Sequence, residues 1–286
     1  MGLRTDLSMR LIKRSFNKRF TMAKLTRVPM LGAITDSMFF KDDLMIILPK
    51  EKVFVEARKR SVTIPMDISA ERADMVVPST IIDHFIDRSR YVFRMNRCVC
   101  RDSNDCKDYP KEFGCIFLGR GATEIPAHLG TMITAEEAKE HVRRCREAGL
   151  VHLIGRNKID SVVFTKGPKE DLLSICSCCP CCCLWKMVPD LWGKIGSTLV
   201  RMPGVEISVT AENCIGCSRC VKEEVCYVRA MSIVDGKVRI DGSLCKGCGR
   251  CVEFCRNGAI ELRITDDTYI EESIRRIEPL VDILKE

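Results

Sequence analysis

The sequence predicts an α+β fold: an N-terminal α/β domain rich in cysteine, then a smaller C-terminal domain built on an internal repeat. Strand-like apolar runs alternate with amphipathic helical stretches through the first two thirds of the chain. Nineteen cysteines stand among 286 residues, and eighteen of them fall in clusters at short spacing. One cysteine pattern occurs twice, its first members Cys214 and Cys245 lying 31 residues apart. A chain of this length can bury one large or two modest cores.

Taken in order, residues 1–40 form a basic arm or helix, carrying Arg4, Arg10, Lys13, Arg14, Lys18, Arg19, Lys24 and Arg27. Leu3, Leu7, Leu11 and Phe16 recur at helical intervals, which predicts a short amphipathic helix docked on a partner. Attachment to a membrane surface is the less favoured reading. Residues 41–203 form the cysteine-rich α/β domain. Within it, residues 44–64 read as extended, through "LMIILP" and "VFVEARKRSVTI". "VVPSTIIDHFIDRSR" reads as a helix with Pro78 in its first turn and Ile81, Ile82, Phe85 and Ile86 on its apolar face. "YVFRM" is strand-like and runs into Cys98. "TAEEAKEHVRRCREAG" is the clearest helix: Thr134 and Glu137 make a capping box, and Gly149 supplies the stop. Ala138, Val142, Cys145 and Ala148 line its buried stripe, so Cys145 packs as a small apolar residue. "VHLIG" and "SVVFT" read as strands leading to the block "SICSCCPCCCLWK". A tract with Pro189, Gly193, Gly196, Pro203 and Gly204 then links to a separate unit over residues 204–265, and residues 266–286 read as a C-terminal helix.

Nineteen is an odd count, and six thiols within residues 176–183 sit too close to pair sensibly with one another. Disulfide-dense domains are short and secreted, whereas "MGLRTDLSMRLIKRSFNKRF" lacks the apolar stretch of a secretory signal. No apolar run reaches the 18 residues of a membrane span. These features predict a soluble, cytoplasmic chain whose clustered cysteines bind metal. "LGRGATEIP" lacks the third glycine of a dinucleotide fingerprint, and neither a phosphate-binding loop nor a covalent haem motif occurs.

The repeated pattern is "ENCIGCSRCVKEEVC" and "SLCKGCGRCVEFC", each giving three cysteines at C-x₂-C-x₂-C and a fourth a little further on. Three thiolates at this spacing on a tight loop reach three irons of one cube, and loop N–H groups point at the sulfurs. Gly216, Gly247 and Gly249 permit the turns. Residues 212–262 thereby resemble a bacterial-type two-[4Fe–4S] ferredoxin domain. The resemblance completes the expected architecture as an N-terminal α/β cysteine-rich domain plus a C-terminal two-[4Fe–4S] ferredoxin-like domain. It implies that Cys214, Cys217 and Cys220 with Cys255 hold one cluster, and that Cys245, Cys248 and Cys251 with Cys226 hold the other. Two departures stand out. Five residues separate Cys220 from Cys226 where the family has three, and Tyr227 and Arg256 stand where it has proline. The formal charge of +7 then shrinks. Each cubane with four thiolates adds roughly −2, so two bring the total to roughly +3 and four to roughly −1. The basic balance offsets cluster charge and does not call for a nucleic-acid partner.

Two further groups are less diagnostic. "CVCRDSNDCKDYPKEFGC" sets Cys98, Cys100, Cys106 and Cys115 in a loop with charged residues and Pro110, a metal site for either a cluster or zinc. The block holds Cys176, Cys178, Cys179, Cys181, Cys182 and Cys183. Adjacent cysteines on extended chain point to opposite faces, so the block can serve two centres. One or two further iron–sulfur clusters, or one cluster with a centre of another type, fit these ten thiols. His84 and His141 read as ordinary, partly exposed helix residues; His128 and His152 lie nearer the cysteine loops. Trp185 and Trp192 read as packing that shields a cluster from water. The C-x-C-R loop, "GLVHLIGRNK", "CCPCCCLWK" and "RMPGV", with the ferredoxin unit, resemble multi-cluster 4Fe–4S binding proteins of anaerobic bacteria and archaea. That resemblance implies redox work without a particular reaction.

The expected function is single-electron relay through several [4Fe–4S] clusters, as the electron-transfer subunit or carrier of an oxidoreductase system. The partner would be a flavin or metal oxidoreductase within a larger complex. The alternative is a reductase or reductive-activation enzyme whose N-terminal cysteine-rich centre is catalytic and whose ferredoxin domain supplies electrons.

Overall fold

The computed structural model describes residues 2–61, 77–165 and 167–285. Three helices open the chain: Gly2–Ser15 (α1), Arg19–Leu25 (α2) and Pro29–Phe39 (α3). The strand Leu44–Ile47 (β1) and the helix Glu51–Ser61 (α4) follow. Next come Ser79–Arg88 (α5), Val92–Met95 (β2), Val99–Ser103 (α6), Ile116–Leu118 (β3) and Gly130–Met132 (β4). Ala135–Glu147 (α7), Val151–Arg156 (β5), Lys158–Phe164 (α8) and Leu173–Cys178 (β6) lead into the cysteine block. Gly193–Gly196 (α9) and Leu199–Arg201 (β7) lie beyond it. The last third holds Val205–Val209 (β8), Arg219–Lys222 (α10), Met231–Val234 (β9), Lys237–Ile240 (β10), Arg250–Phe254 (α11), Ile260–Ile264 (β11) and Tyr269–Ile277 (α12).

Helices and largely antiparallel sheets make this an α+β fold. β1 to β7 form one sheet in the order β4-β2-β3-β6-β5-β1-β7, with only β1 and β7 running parallel. Register sets its two faces. Ile46, Ile154, Ile175 and Ile116 are successive partners across four strands and share a face. That face packs on α4, α5, α7 and α12 through Phe54, Ile82, Phe85, Val142 and Ile277. One residue along, Ile47, Leu153 and Cys176 make the matching row on the opposite face. Trp185, Val188, Leu191 and Ile195 cover it, together with Ala23 of α2.

The C-terminal third is joined to this sandwich by a shared core. β8 pairs with β11, and β9 with β10. Asp235 and Gly236 turn the β9–β10 hairpin with φ of 50° and 72°, the left-handed geometry that matches strand twist. Val205 of β8 and Leu262 of β11 belong to the same buried cluster as Phe54 and Ile82. Helix α12 returns to the first unit, where Tyr269 meets Phe54 edge to face at 5.1 Å.

Several expectations are corrected. Residues 51–61, read as extended, form α4: Val53, Phe54 and Ala57 are buried at helical spacing, and residues 62–64 lie outside the described residues. "SVVFT" falls largely in α8, since a short apolar run does not separate strand from helix by period. The Asp43 carboxylate accepts the Lys158 N–H at the start of that helix, 2.9 and 3.0 Å from its two oxygens. In α1, Leu7 and Leu11 are 69% and 66% exposed and Met9 is buried instead, while Phe16, just after α1, is buried. His141 is buried and hydrogen-bonds the Gly114 carbonyl at 2.9 Å. The tract after the block is no free link: it buries Trp185, Leu191, Ile195 and Leu199, and β7 completes the sheet. The capping box of α7 is present, with the Glu137 N–H donating to Thr134 Oγ1 at 3.2 Å.

Phe54→Ala opens a cavity where both units meet. Denaturant unfolding is expected to lose about 3–5 kcal/mol in one transition. Two separated transitions, with only the first shifted, would contradict the shared core.

Candidate metal centres

The repeat sets its cysteines on left-handed turns. Gly216 and Gly247 have φ of 72° and 67°, and Ser218 and Gly249 have 58° and 77° at the starts of α10 and α11. A Cβ at Gly216 would meet the Gly236 carbonyl at 2.6 Å, so the first turn packs directly on the β9–β10 hairpin. The five-residue spacer after Cys220 is taken up by the end of α10 and a left-handed residue, Glu224. Cys214, Cys217, Cys220 and Cys255 line one cavity of about 180 Å³. Cys226, Cys245, Cys248 and Cys251 line a tighter one of about 20 Å³. The N–H groups of Val238 and Gly216 donate to Cys214 and hold its thiol below the usual range. Burial pushes Cys245 up to about 11. Cys217 is exposed and Cys251 is buried, so the two sites differ in access to solvent.

The other ten clustered cysteines divide into two groups, with Cys145 outside both. Cys106, Cys179, Cys181 and Cys182 form one, their sulfurs all within 4.8 Å of one another. Cys98, Cys100, Cys115, Cys176, Cys178 and Cys183 form the other, linked sulfur to sulfur in a chain. Cys98 touches Cys100 and Cys115, Cys115 lies 3.7 Å from Cys176, and Cys178 touches Cys176 and Cys183. Sheet register explains part of this. Continuing the β3–β6 pairing one step past Ile116 and Ile175 sets Cys115 opposite Cys176. Strand β6 ends at Cys178, and the chain turns through Pro180. Strand alternation therefore does not sort the block; the turn sends residues 179, 181 and 182 one way and returns Cys183 to Cys178. The loop is split as well, since Cys106 leaves Cys98, Cys100 and Cys115 for the compact group.

Donated hydrogen bonds from Cys100 and Cys115 hold Cys98 well below the usual thiol range. Those from Cys176 and Cys183 do the same for Cys178. Cations complete the site. Arg101 is 0% exposed and donates to the Ser177 carbonyl at 2.7 Å and to the Phe113 carbonyl. Burial works against its charge, but Cys98, Cys179 and Cys115 outweigh burial and hold the proton more firmly. Arg19 and Arg250 are buried as well, and the Nε–H groups of all three arginines have no partner among the described residues. Orphaned cationic donors beside gathered thiols fit an anionic thiolate or sulfide centre. Asn104 ties the loop to the block, donating to the carbonyls of Cys100 at 2.8 Å and Cys182 at 3.4 Å.

The tighter ferredoxin-type site adjoins the six-thiol group. Tyr227, next to Cys226, is buried in the same cluster as Cys183, Cys176, Cys178, Cys245 and Cys248. Arg250 lies over the Tyr227 ring at 5.7 Å and donates to the Cys178 carbonyl at 2.5 Å. The Lys50 N–H donates to the Cys248 carbonyl at 3.0 Å. Trp185 is buried in this cluster too, and Trp192 packs against it. Cys145 is fully buried beside the compact group, 3.6 Å from His141. His128 pairs with Asp6 at 2.8 Å, and His84 with Glu278 at 3.1 Å. His152 bonds Ser177 at 3.1 Å, and burial holds it neutral with a pKa of about 3. Sequence reasoning missed Arg19, Arg101, Arg250 and Tyr227. Arg101 had a signal, since it follows Cys98 and Cys100 directly; the other three are recognisable only in space.

The 4Fe-4S binding domain family matches residues 238–261. Over 61 residues the chain is 39% identical to an ion-translocating oxidoreductase complex subunit of Methanosarcina acetivorans, covering 21% of this chain and 22% of that protein. Over 83 residues it is 40% identical to the indolepyruvate oxidoreductase subunit IorA of Archaeoglobus fulgidus, covering 29% of this chain and 11% of that protein. The chain thus spans about a fifth of the length of the first relative and a tenth of the second. No solved structure gives a significant match. On these findings the chain is an iron–sulfur protein with a ferredoxin-like 4Fe–4S binding domain in its C-terminal third.

Proposed function

We propose that this protein relays single electrons between a redox partner and a buried centre in its N-terminal domain, as a subunit or carrier of an oxidoreductase system. The supporting observation is the order of the sites. The Cys217-containing site is open to solvent, while the Cys226-containing site abuts the six-thiol group through Tyr227 and Arg250. In this reading Cys214, Cys217, Cys220 and Cys255 hold one [4Fe–4S] cluster. Cys245, Cys248, Cys251 and Cys226 hold a second. Cys98, Cys100, Cys115, Cys176, Cys178 and Cys183 hold at least one further iron–sulfur cluster. Each bound cluster accepts and releases one electron at a time. The chain's own residues set access and potential. Ile215 is 71% exposed beside Cys217 and offers an apolar contact to a docking redox protein. Arg101 and Arg250 keep positive charge beside the buried thiolates and favour the reduced, more negative state. Both relatives are named as oxidoreductase subunits, which supports a partner enzyme.

One observation favours a second reading, a reductase or reductive-activation enzyme. Six thiols gather where one cube offers four terminal positions, which leaves sulfur for chemistry on a substrate.

Two experiments test the relay. Cys255→Ser and Cys226→Ser, prepared without oxygen, should each lose about four irons and a different part of the reduced EPR spectrum. Loss of the same signal from both variants would defeat the crossed ligand assignment, and a colourless wild-type protein would defeat the whole reading. Arg250→Gln should lower the potential of a buried centre by roughly 60 mV, the one-electron equivalent of about 1.4 kcal/mol. An unchanged redox titration would remove Arg250 from the relay.

A further inference from the structure

We propose that Cys106, Cys179, Cys181 and Cys182 hold a single zinc ion, separate from every iron–sulfur cluster. Their sulfurs lie within 4.8 Å of one another, the one such set among the described residues. Cys181 is 3.6 Å from both Cys106 and Cys182. Four thiolates about 2.3 Å from one tetrahedral ion stand about 3.8 Å apart. The thiolates of a four-iron cube stand much further apart, because four irons and four sulfides lie between them. The six-thiol group has close pairs too, Cys115 and Cys176 at 3.7 Å among them, but they run on as a chain, and among the described residues only the compact set brings all its sulfurs within 4.8 Å of one another. Cys214, Cys217, Cys220 and Cys255 instead surround a cavity of about 180 Å³.

Local geometry agrees. Cys179 and Cys182 have the C-x₂-C spacing of a zinc turn, with the Cys182 N–H donating to the Cys179 sulfur at 3.3 Å. Across the site, the N–H groups of Tyr109 and Asp108 donate to the Cys106 sulfur. Such donors orient thiolates and spread their charge. All four positions around the ion come from the protein, as in structural rather than catalytic zinc sites. The ion would pin the loop carrying Cys106 to the turn after β6. Cys98 and Cys100 lie in that loop and Cys178 and Cys183 flank that turn, so the ion would fix the frame of the six-thiol group. Zinc takes no part in redox, so the site stands apart from the relay.

The test is metal analysis and zinc-edge X-ray absorption of the intact protein, produced without oxygen in medium holding both metals. About one zinc per chain is expected, with four sulfur neighbours at about 2.3 Å and no iron nearby. Cys181→Ser should lose that zinc and keep the iron content and EPR signals of the ferredoxin-like domain. Wild-type protein without zinc overturns the proposal, as does a high-spin iron signal from a tetrathiolate site in its place. Loss of about four irons from Cys181→Ser, with zinc unchanged, overturns it in favour of a cubane. The wild-type spectrum decides the matter even where the variant fails to fold. An iron-free protein that still holds zinc would sink the electron relay and leave this site standing.

Discussion

Ten thiols crowded at one end of a sheet, where metal binding would concentrate negative charge, are the constraint that organises this molecule. Two unit charges 4 Å apart interact by about 4 kcal/mol at the effective dielectric of a protein site. Were all ten deprotonated to bind metal, their uncompensated repulsion would drive the loop and the block apart. Arg101 sits between the two groups, tied by Ser177 and Phe113 so that its charge stays in place. Arg19 and Arg250 approach from other elements, so the first helices and the ferredoxin-like domain both contribute to the same charge balance.

This explains why the two units share a core. A cluster-bearing domain on a flexible tether would leave the distance between centres undefined. Here β8 and β11 join the cluster built on α4 and α5, and α12 locks back through Tyr269 on Phe54. The Lys50 N–H reaches the Cys248 carbonyl, and Arg250 reaches the Cys178 carbonyl. The separation of the buried sites is thereby set by packed side chains and backbone hydrogen bonds, which hold orientation and water exclusion together.

The sheet register does comparable work for the first unit. A one-residue slip of β6 against β3 would carry Cys176 and Cys178 to the face packed on α5 and α7, and the isoleucine row would face Trp185. The buried isoleucines of one face thus specify where the cysteines of the other face point.

Local spacing alone made much legible. The duplicated C-x₂-C-x₂-C turns, the capping box at Thr134 and the strands at Val92 and Val151 are encoded within a few residues, because turns, caps and strand alternation are local physics. Residues 51–61 and 158–164 defeat a local reading because apolar residues in a short run fit both periods, and only burial against the sheet settles the choice. The sequence determined that thiols gather and which of them repeat. Tertiary structure decided how the ten clustered N-terminal cysteines divide into six and four, and which arginines attend them. That division depends on where β6 stops and which strand lies beside it, and such partners are fixed by packing across the fold rather than by neighbours along the chain.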